Sequence, residues 1–205
     1  MNLTTVIYYT SNHENELFES KVRGRLREAV GEIPVISVSQ KPIAFGHNIC
    51  VGDIGLKELN IPKQMLAGCE QAKTPYVTFA EADTLYPPEY FRYIPTNINK
   101  RYWFEPVYIL YPYSEDMQNS FYSKGRSDCA HMAGREFIVN LLRKAVSEGT
   151  MLPFRGDNRP EKVLLETPIV SLKTGNSLHP KTQTNLIPIP SSPYWGEAKE
   201  LKDGF

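Results

Sequence analysis

The apolar positions of the chain fall into two alternating textures. Thr4-Thr5-Val6-Ile7-Tyr8-Tyr9-Thr10 is a run of β-branched and aromatic residues and predicts a first strand. Ser11-Asn12-His13 supplies turn and cap residues. Leu17, Phe18, Val22, Leu26, Ala29 and Val30 then recur at helical spacing, predicting a helix from about Glu14 to Val30 that Gly31 stops. A second strand over Ile33 to Ser39 completes a strand–helix–strand unit, with a parallel pair and a right-handed crossover. Residues 41–59 carry no period. Asn60 reads as the N-cap of a helix with Pro62 in its first turn. Ile61, Met65, Cys69 and Ala72 make its apolar face, and Gly68 allows close approach to a sheet. Pro75-Tyr76-Val77-Thr78-Phe79-Ala80 is again a buried strand. It runs into Glu81-Ala82-Asp83 and is closed by Pro87-Pro88.

The second half has a different texture. Arg101 to Pro112 is strongly β in propensity, with Pro106 marking an edge, a bulge or a turn. Gly125 to His131 reads as a loop or short strand. Gly134 to Glu148 predicts a helix with Phe137, Ile138, Leu141, Leu142, Ala145 and Val146 on one face. Residues 151–162 form a polar loop containing Asp157. Val163-Leu164-Leu165 and Pro168 to Leu172 read as a broken strand. The tail has Pro188, Pro190 and Pro193 and no period before Tyr194-Trp195, which fits either a lid or a disordered terminus. Alternating strands and helices predict an α/β fold, one domain with a mostly parallel central sheet flanked by helices. Residues 1–92 and 93–180 are its two halves, and 181–205 is a Pro-rich tail.

At 205 residues and 41% hydrophobic, the chain suffices for one globular core. No stretch approaches the ~20 apolar residues of a membrane span. The N-terminus lacks the basic start of a signal peptide. Cys50, Cys69 and Cys129 have no metal-type spacing and read as reduced thiols, so a cytoplasmic setting is expected. Net charge is zero but uneven: residues 1–119 carry −3 and residues 120–181 carry +4. The basic second half could attract an anionic partner, or be an ordinary solvated face. There is no Gly-x-Gly-x-x-Gly, Walker loop, Gly-x-Ser-x-Gly or His-Glu-x-x-His, which argues against dinucleotide, P-loop, hydrolase-elbow and zincin chemistry.

Glu81 and Asp83 are two hard oxygen ligands at i and i+2, pointing the same way if the strand persists. They stand beyond the carboxyl end of a strand, where ligands of open α/β sheets bind. Such a pair suits Mg²⁺ or Mn²⁺ together with substrate phosphates. The bland alternative is a strand-end turn with two solvated acids.

A helix, a short linker, an apolar strand, an acidic-x-acidic end and Tyr86-Pro87-Pro88 together resemble the metal-binding motif of GT-A glycosyltransferases, small soluble family-2-like members among them. The likeness is best from Gly55 to Phe91. The usual Asp-x-Asp is here Glu81-Ala82-Asp83. The resemblance implies a GT-A-like fold and a nucleoside diphosphate sugar donor, a UDP-sugar first. It implies Mn²⁺ or Mg²⁺ at Glu81 and Asp83, with His179 as a late third ligand. Related loops put that histidine just before the glycine, where this chain has Thr174. Tyr9, Thr10, Ser11 and Asn12, after the first strand, become candidates for nucleotide contact, although Ser11 or Asn12 can equally cap the helix. Ala82 joins them between the acids. Asp53 holds nucleotide or caps a turn. Lys63 and Gln64 sit near a helix N-terminus that favours phosphate, while the arginine many members carry there is replaced nearby by Met65.

The implied reaction moves a sugar to a hydroxyl acceptor, with Asp157 or Glu166 as the catalytic base, or a retaining route if neither is needed. Trp103 and Tyr108 could stack on the acceptor, or serve as core. The acidic-x-acidic and Tyr-Pro-Pro block also resembles phage-type glycosyltransferases, some of which add sugars to hydroxymethylated bases in DNA, so the resemblance implies modified DNA as one acceptor and a saccharide or small molecule as the other. The rival classes are a sugar nucleotidyltransferase, which would carry a Gly-rich basic loop near the N-terminus, and a non-catalytic nucleotide-sugar-binding module, indifferent to loss of both acids.

Overall fold

The computed structural model describes residues 2–114, 119–125, 127–151, 160–176 and 187–205. The first half follows the hydrophobic pattern closely. Strand β1 (Thr4–Thr10) leads into helix α1 (Glu16–Val30), then β2 (Val35–Ser39) and a short β3 (His47–Cys50). Helix α2 (Asn60–Gln71) precedes β4 (Tyr76–Glu81), β5 (Thr84–Leu85) and α3 (Pro88–Arg92). The second half holds β6 (Arg101–Leu110), β7 (Phe121–Ser123), β8 (His131–Gly134), α4 (Arg135–Glu148) and the long β9 (Glu161–Leu172). The C-terminal segment adds β10 (Pro188–Ile189), β11 (Ser191–Ser192), β12 (Gly196–Glu197) and α5 (Ala198–Asp203).

The main sheet runs β10-β7-β6-β8-β4-β1-β2-β3, and β9 joins it through β6 and β5. The pairs β3–β2, β2–β1, β1–β4 and β6–β9 are parallel and make up most of the ladder length. Antiparallel β8 joins the parallel first half to β6. Both faces of the central parallel strands are covered, so β1 and the middle of β4 are buried residue after residue rather than on alternate positions. Val6, Tyr8 and Ala80 pack with Leu26, Val30, Tyr90 and Phe91 of α1 and α3. Ile7, Tyr9, Val77 and Phe79 pack with Met65, Cys69, Ile138 and Leu142 of α2 and α4.

Gly68 has the packing role its position predicts. A Cβ built on it would lie 2.6 Å from Ile7 Cγ2 and 3.1 Å from Val38 Cγ2. Gly68→Ala is therefore expected to push α2 off the sheet and cost about 1–3 kcal/mol in urea unfolding.

Four expectations are corrected. Residues 41–59 are not wholly irregular, because His47–Cys50 adds an edge strand to β2. The broken strand is one strand, β9, and the break survives only in its pairing: Leu164 pairs with Glu105 and Ile169 with Val107, so Leu165 to Pro168 bulge opposite Pro106 of β6. Asn60 does not cap α2: it is the first helical residue, and its amide donates to Ile54 O (2.6 Å) and Gly55 O (2.9 Å). The described tail is not a disordered terminus. Ala198 is buried, Trp195 Nε1 donates to Pro168 O (2.6 Å), and the Phe205 ring packs 5.6 Å from that of Phe18 on α1.

Candidate active site

The carboxyl ends of β1 and β2, the β4–β5 turn, the start of α2 and the segment after β9 converge on one cleft. It is lined by Tyr9, Thr10, Ser11, Glu14, Gln40, Gly55, Leu56, Lys57, Asn60, Ile61, Gln64, Glu81, Ala82, Asp83, Lys173 and Asn176. This is the crevice where the strands of an open α/β sheet present their ligands.

The Glu81-Ala82-Asp83 triplet is held from below by tyrosines. Pro87 and Pro88 turn the chain into α3, which brings the Tyr86 and Tyr90 rings into a stack 4.9 Å apart. Tyr86 Oη accepts from the Glu81 backbone N–H (3.0 Å) and donates to Cys129 O (2.8 Å). Tyr90 Oη shares its proton between Phe79 O (2.8 Å) and His131 O (2.9 Å), tying β4 to β8. The Tyr-Pro-Pro signature thus works as a plug under the acidic turn. Tyr9 Oη, whose pKa is raised by burial and by Glu81, donates to Glu81 Oε1 (2.6 Å).

The strand ends at Glu81, so Asp83 sits in a turn rather than at a strict i+2 strand position. Both carboxylates nevertheless line the cleft. Burial, with the Asp83 charge second, pushes the Glu81 carboxyl up to about 7. The native state therefore holds this proton more tightly than the unfolded chain. Its contribution to stability is complete below the ordinary carboxylate value and is lost as pH rises toward 7. Glu81→Gln, which mimics the protonated acid, is expected to melt several degrees higher than wild type at pH 8 and to match it near pH 4. A lower melting temperature at pH 8 would contradict this.

Lys173 is the residue that sequence reasoning missed. Thr84 and Leu85 pair with Ser171 and Val170, and Leu172 N–H donates to Asp83 O (2.7 Å). The next residue, Lys173, places its Nζ 3.7 Å from Asp83 Oδ2 with a side chain only 9% exposed. Burial opposes its charge, but Asp83 and Glu81 outweigh burial and hold the ammonium above the usual lysine value. Beyond it, Thr174 Oγ1 donates to Glu14, joining the β9 end to the loop after β1.

Of the residues expected after β1, Tyr9, Thr10 and Ser11 line the cleft. Asn12 does not. It adopts φ 54° and its Oδ1 accepts from the backbone N–H groups of Gln40 and Lys41, both at 2.8 Å, so it joins the ends of β1 and β2. Neither Ser11 nor Asn12 caps α1, since Asn15 accepts from Leu17 N–H (2.8 Å). Thr10 is fixed by buried Glu19, which accepts its hydroxyl at 2.8 Å and Arg23 Nη1 at 3.0 Å. Gln64 lines the cleft, with its amide committed to Thr10 O (2.7 Å) and Val38 O (3.2 Å).

Other candidates are displaced. Lys63 is exposed outside the cleft lining, 3.4 Å from Asn60 Oδ1. Asp53 is also outside it and closes a turn by accepting from Gly55 N–H (3.0 Å). The wall there is built instead by Gln40, whose Oε1 accepts from Ile54 and Gly55 N–H, both at 3.0 Å. Glu166 is exposed on β9, six residues before Leu172 and so about 20 Å along the strand from the acidic turn; it is not placed to act as the base. Trp103 is 3% exposed, stacked 5.8 Å from His131 and covered by the Arg101 guanidinium at 4.9 Å, which makes it core rather than an acceptor platform. Tyr108 packs on Phe121 (5.9 Å), away from the cleft. Asp157 and His179 lie outside the described residues. Among the described residues, no group of three or more His, Cys, Asp or Glu side chains gathers to hold a metal, and no helix is long and apolar enough to cross a membrane.

No family model and no curated protein matches the chain. Among solved structures it is similar to a glycosyltransferase involved in the glycosylation of the major capsid of PBCV-1. That match has a TM-score of 0.51 at 8% identity and covers 85% of this chain and 96% of that one. A second match, the bifunctional IspDF from Campylobacter jejuni, has a TM-score of 0.44 at 7% identity, covering 80% of this chain and 49% of that one. The first likeness is one of fold: this is a mixed α/β, GT-A-like domain with a mostly parallel central sheet flanked by helices.

Proposed function

We propose that the cleft binds a nucleoside diphosphate sugar, a UDP-sugar first, and transfers its sugar to a hydroxyl acceptor. The observation that carries this is the Glu81–Asp83 pair at the carboxyl end of β4, facing a cleft in a domain that shares its fold with a glycosyltransferase. The pair fits Mn²⁺ or Mg²⁺, because a carboxylate whose proton affinity is raised by burial and by a second acid beside it is relieved by a divalent cation. Two acids at the turn also suit an ion that keeps waters and takes oxygens from a diphosphate. Asp83 and Glu81 would hold it, and when bound it supplies positive charge against the diphosphate.

The chain's own residues do the rest. Tyr9 keeps Glu81 oriented through its 2.6 Å hydrogen bond. Gln40 and Asn60 clasp the Ile54–Gly55 backbone and so shape one wall. Leu56 and Ile61 give the cleft apolar surface for a nucleoside, beside the polar edges of Thr10 and Ser11.

The acceptor oxygen forms the new bond to the anomeric carbon and releases its proton to water. The bond from that carbon to the β-phosphate oxygen breaks, and its electron pair stays on the phosphate. Trp103 is buried and no described aromatic of β6 lines the cleft, so modified DNA stands beside saccharides as one acceptor to be tried. The test is turnover: UDP-, GDP- and TDP-sugars with Mn²⁺, offered hydroxymethylated DNA or simple glycosides, followed by release of nucleoside diphosphate. Release with one donor, dependent on acceptor, supports the reading; none with any pair contradicts it.

A further inference from the structure

We infer that Lys173 is a diphosphate-binding, leaving-group residue of this cleft, a role that rests on the glycosyl-transfer reading above. Three observations lead there. Its ammonium is poised at the acidic turn, 3.7 Å from Asp83 Oδ2, with the side chain 9% exposed yet lining the cleft. Its position is set by backbone pairing on two sides: Lys173 N–H donates to Leu110 O (2.8 Å), and the preceding Leu172 N–H donates to Asp83 O (2.7 Å). The described cations of the cleft lining are Lys57 and Lys173, and only Lys173 stands at the two carboxylates.

The charges explain why a lysine belongs there. Ionised Glu81 and Asp83 with Lys173 sum to −1, and a divalent cation brings the site to +1. A nucleoside diphosphate sugar carries about two negative charges in its diphosphate and gains a third when the glycosidic bond breaks. The anomeric carbon leaves the β-phosphate oxygen, which keeps the electron pair; the acceptor oxygen supplies the pair for the new bond and loses its proton to water. The added charge appears on the phosphate, and a fixed, largely buried ammonium is favoured most at that moment. A lysine that only paired with Asp83 would neutralise an acid the metal also needs. A lysine that exchanges Asp83 for phosphate when donor and metal enter serves both states.

The test compares wild type with Lys173→Gln and Lys173→Arg against UDP, GDP and TDP, their monophosphates, and the corresponding sugars, all with Mn²⁺. For the nucleotide that wild type binds, Lys173→Gln is expected to weaken the diphosphate and to slow transfer, each by roughly 10–100-fold, because a charge-assisted contact is lost. Monophosphate binding stays within about twofold, since that contact lies on the phosphate it lacks, and Lys173→Arg recovers much of the loss. Diphosphate affinity and turnover unchanged in Lys173→Gln would overturn the inference while leaving the transfer reading intact. No nucleotide binding by wild type would overturn both. If Lys173→Gln does not fold, wild type carries the test: nucleoside diphosphate should shield Lys173 from amine acylation, read by mass spectrometry, where monophosphate does not. Equal acylation with both would overturn the inference.

Discussion

Asp83→Ala is expected to lower sugar transfer by about 10²–10³-fold, the scale on which enzymes lose rate when one preorganised charge at the reacting group is removed. The effect should exceed that of Glu81→Gln. Glu81 is partly protonated near neutral pH and is held by Tyr9. Asp83 faces the cleft and directly pairs Lys173. The fold should survive. The Asp83 carbonyl still accepts from Leu172 N–H in alanine, and the lost side-chain contacts are at the edge of the cleft rather than in a core cluster. Lys173 then has Glu81 as its remaining acid, and easing the crowding of two carboxylates offsets part of the lost ion pair. A melting temperature within a few degrees of wild type, combined with the loss of turnover, is the expected pair of results. Turnover within fivefold of wild type would mean that Asp83 does not touch the reaction.

Gly134→Ala is expected to cost about 3 kcal/mol or more, a large part of the ~5–15 kcal/mol that a domain of this kind has in total. A Cβ on Gly134 would fall 1.6 Å from Ile98 O and 2.5 Å from Ile98 C. Both are backbone atoms, so no side-chain rotation relieves the overlap. Gly134 ends β8, pairs with Tyr76 of β4, and donates its N–H to Lys100 O (3.3 Å). The residues that must move are therefore those joining the parallel half of the sheet to β6. Gly125→Ala is the control: nothing lies within 4 Å of its Cβ, so its urea midpoint should match wild type. A Gly134→Ala midpoint equal to that of the control would contradict the packing described at this junction.

The first half of the fold was readable because its strands are buried on both faces and its helices have one apolar stripe; β1, α2 and β4 fall within a residue or two of their expected bounds. The misses share a cause, which is dependence on distant partners. His47–Cys50 is a strand only because β2 offers it an edge. Pro168 suggested a break, but the neighbouring Thr167 N–H is taken by Glu89 Oε1 (2.6 Å), and β9 bulges there, with Leu165 to Pro168 standing opposite Pro106 of β6. The tail pieces are too short to show a period and are ordered by contacts such as Trp195 with Pro168 and Phe205 with Phe18.

The site divides in the same way. Glu81 and Asp83 were visible because two acids ended a buried strand. Lys173 was not, since only the pairing of β5 with β9 brings it to them. Trp103 stayed open between acceptor platform and core because an aromatic in a β run does not reveal which face is covered; Arg101 and His131 cover this one.

Whether this cleft takes a nucleotide sugar is read most simply from thermal unfolding of the wild-type protein with UDP-, GDP-, CMP- and TDP-sugars, each with and without Mn²⁺. A ligand that binds only the folded state raises the melting temperature by mass action. The account predicts a saturable rise with one nucleotide, larger when Mn²⁺ is present and lost in Asp83→Ala. No rise with any donor, with or without metal, would contradict it, and Glu81-Ala82-Asp83 would then be a strand-end turn paired with a lysine.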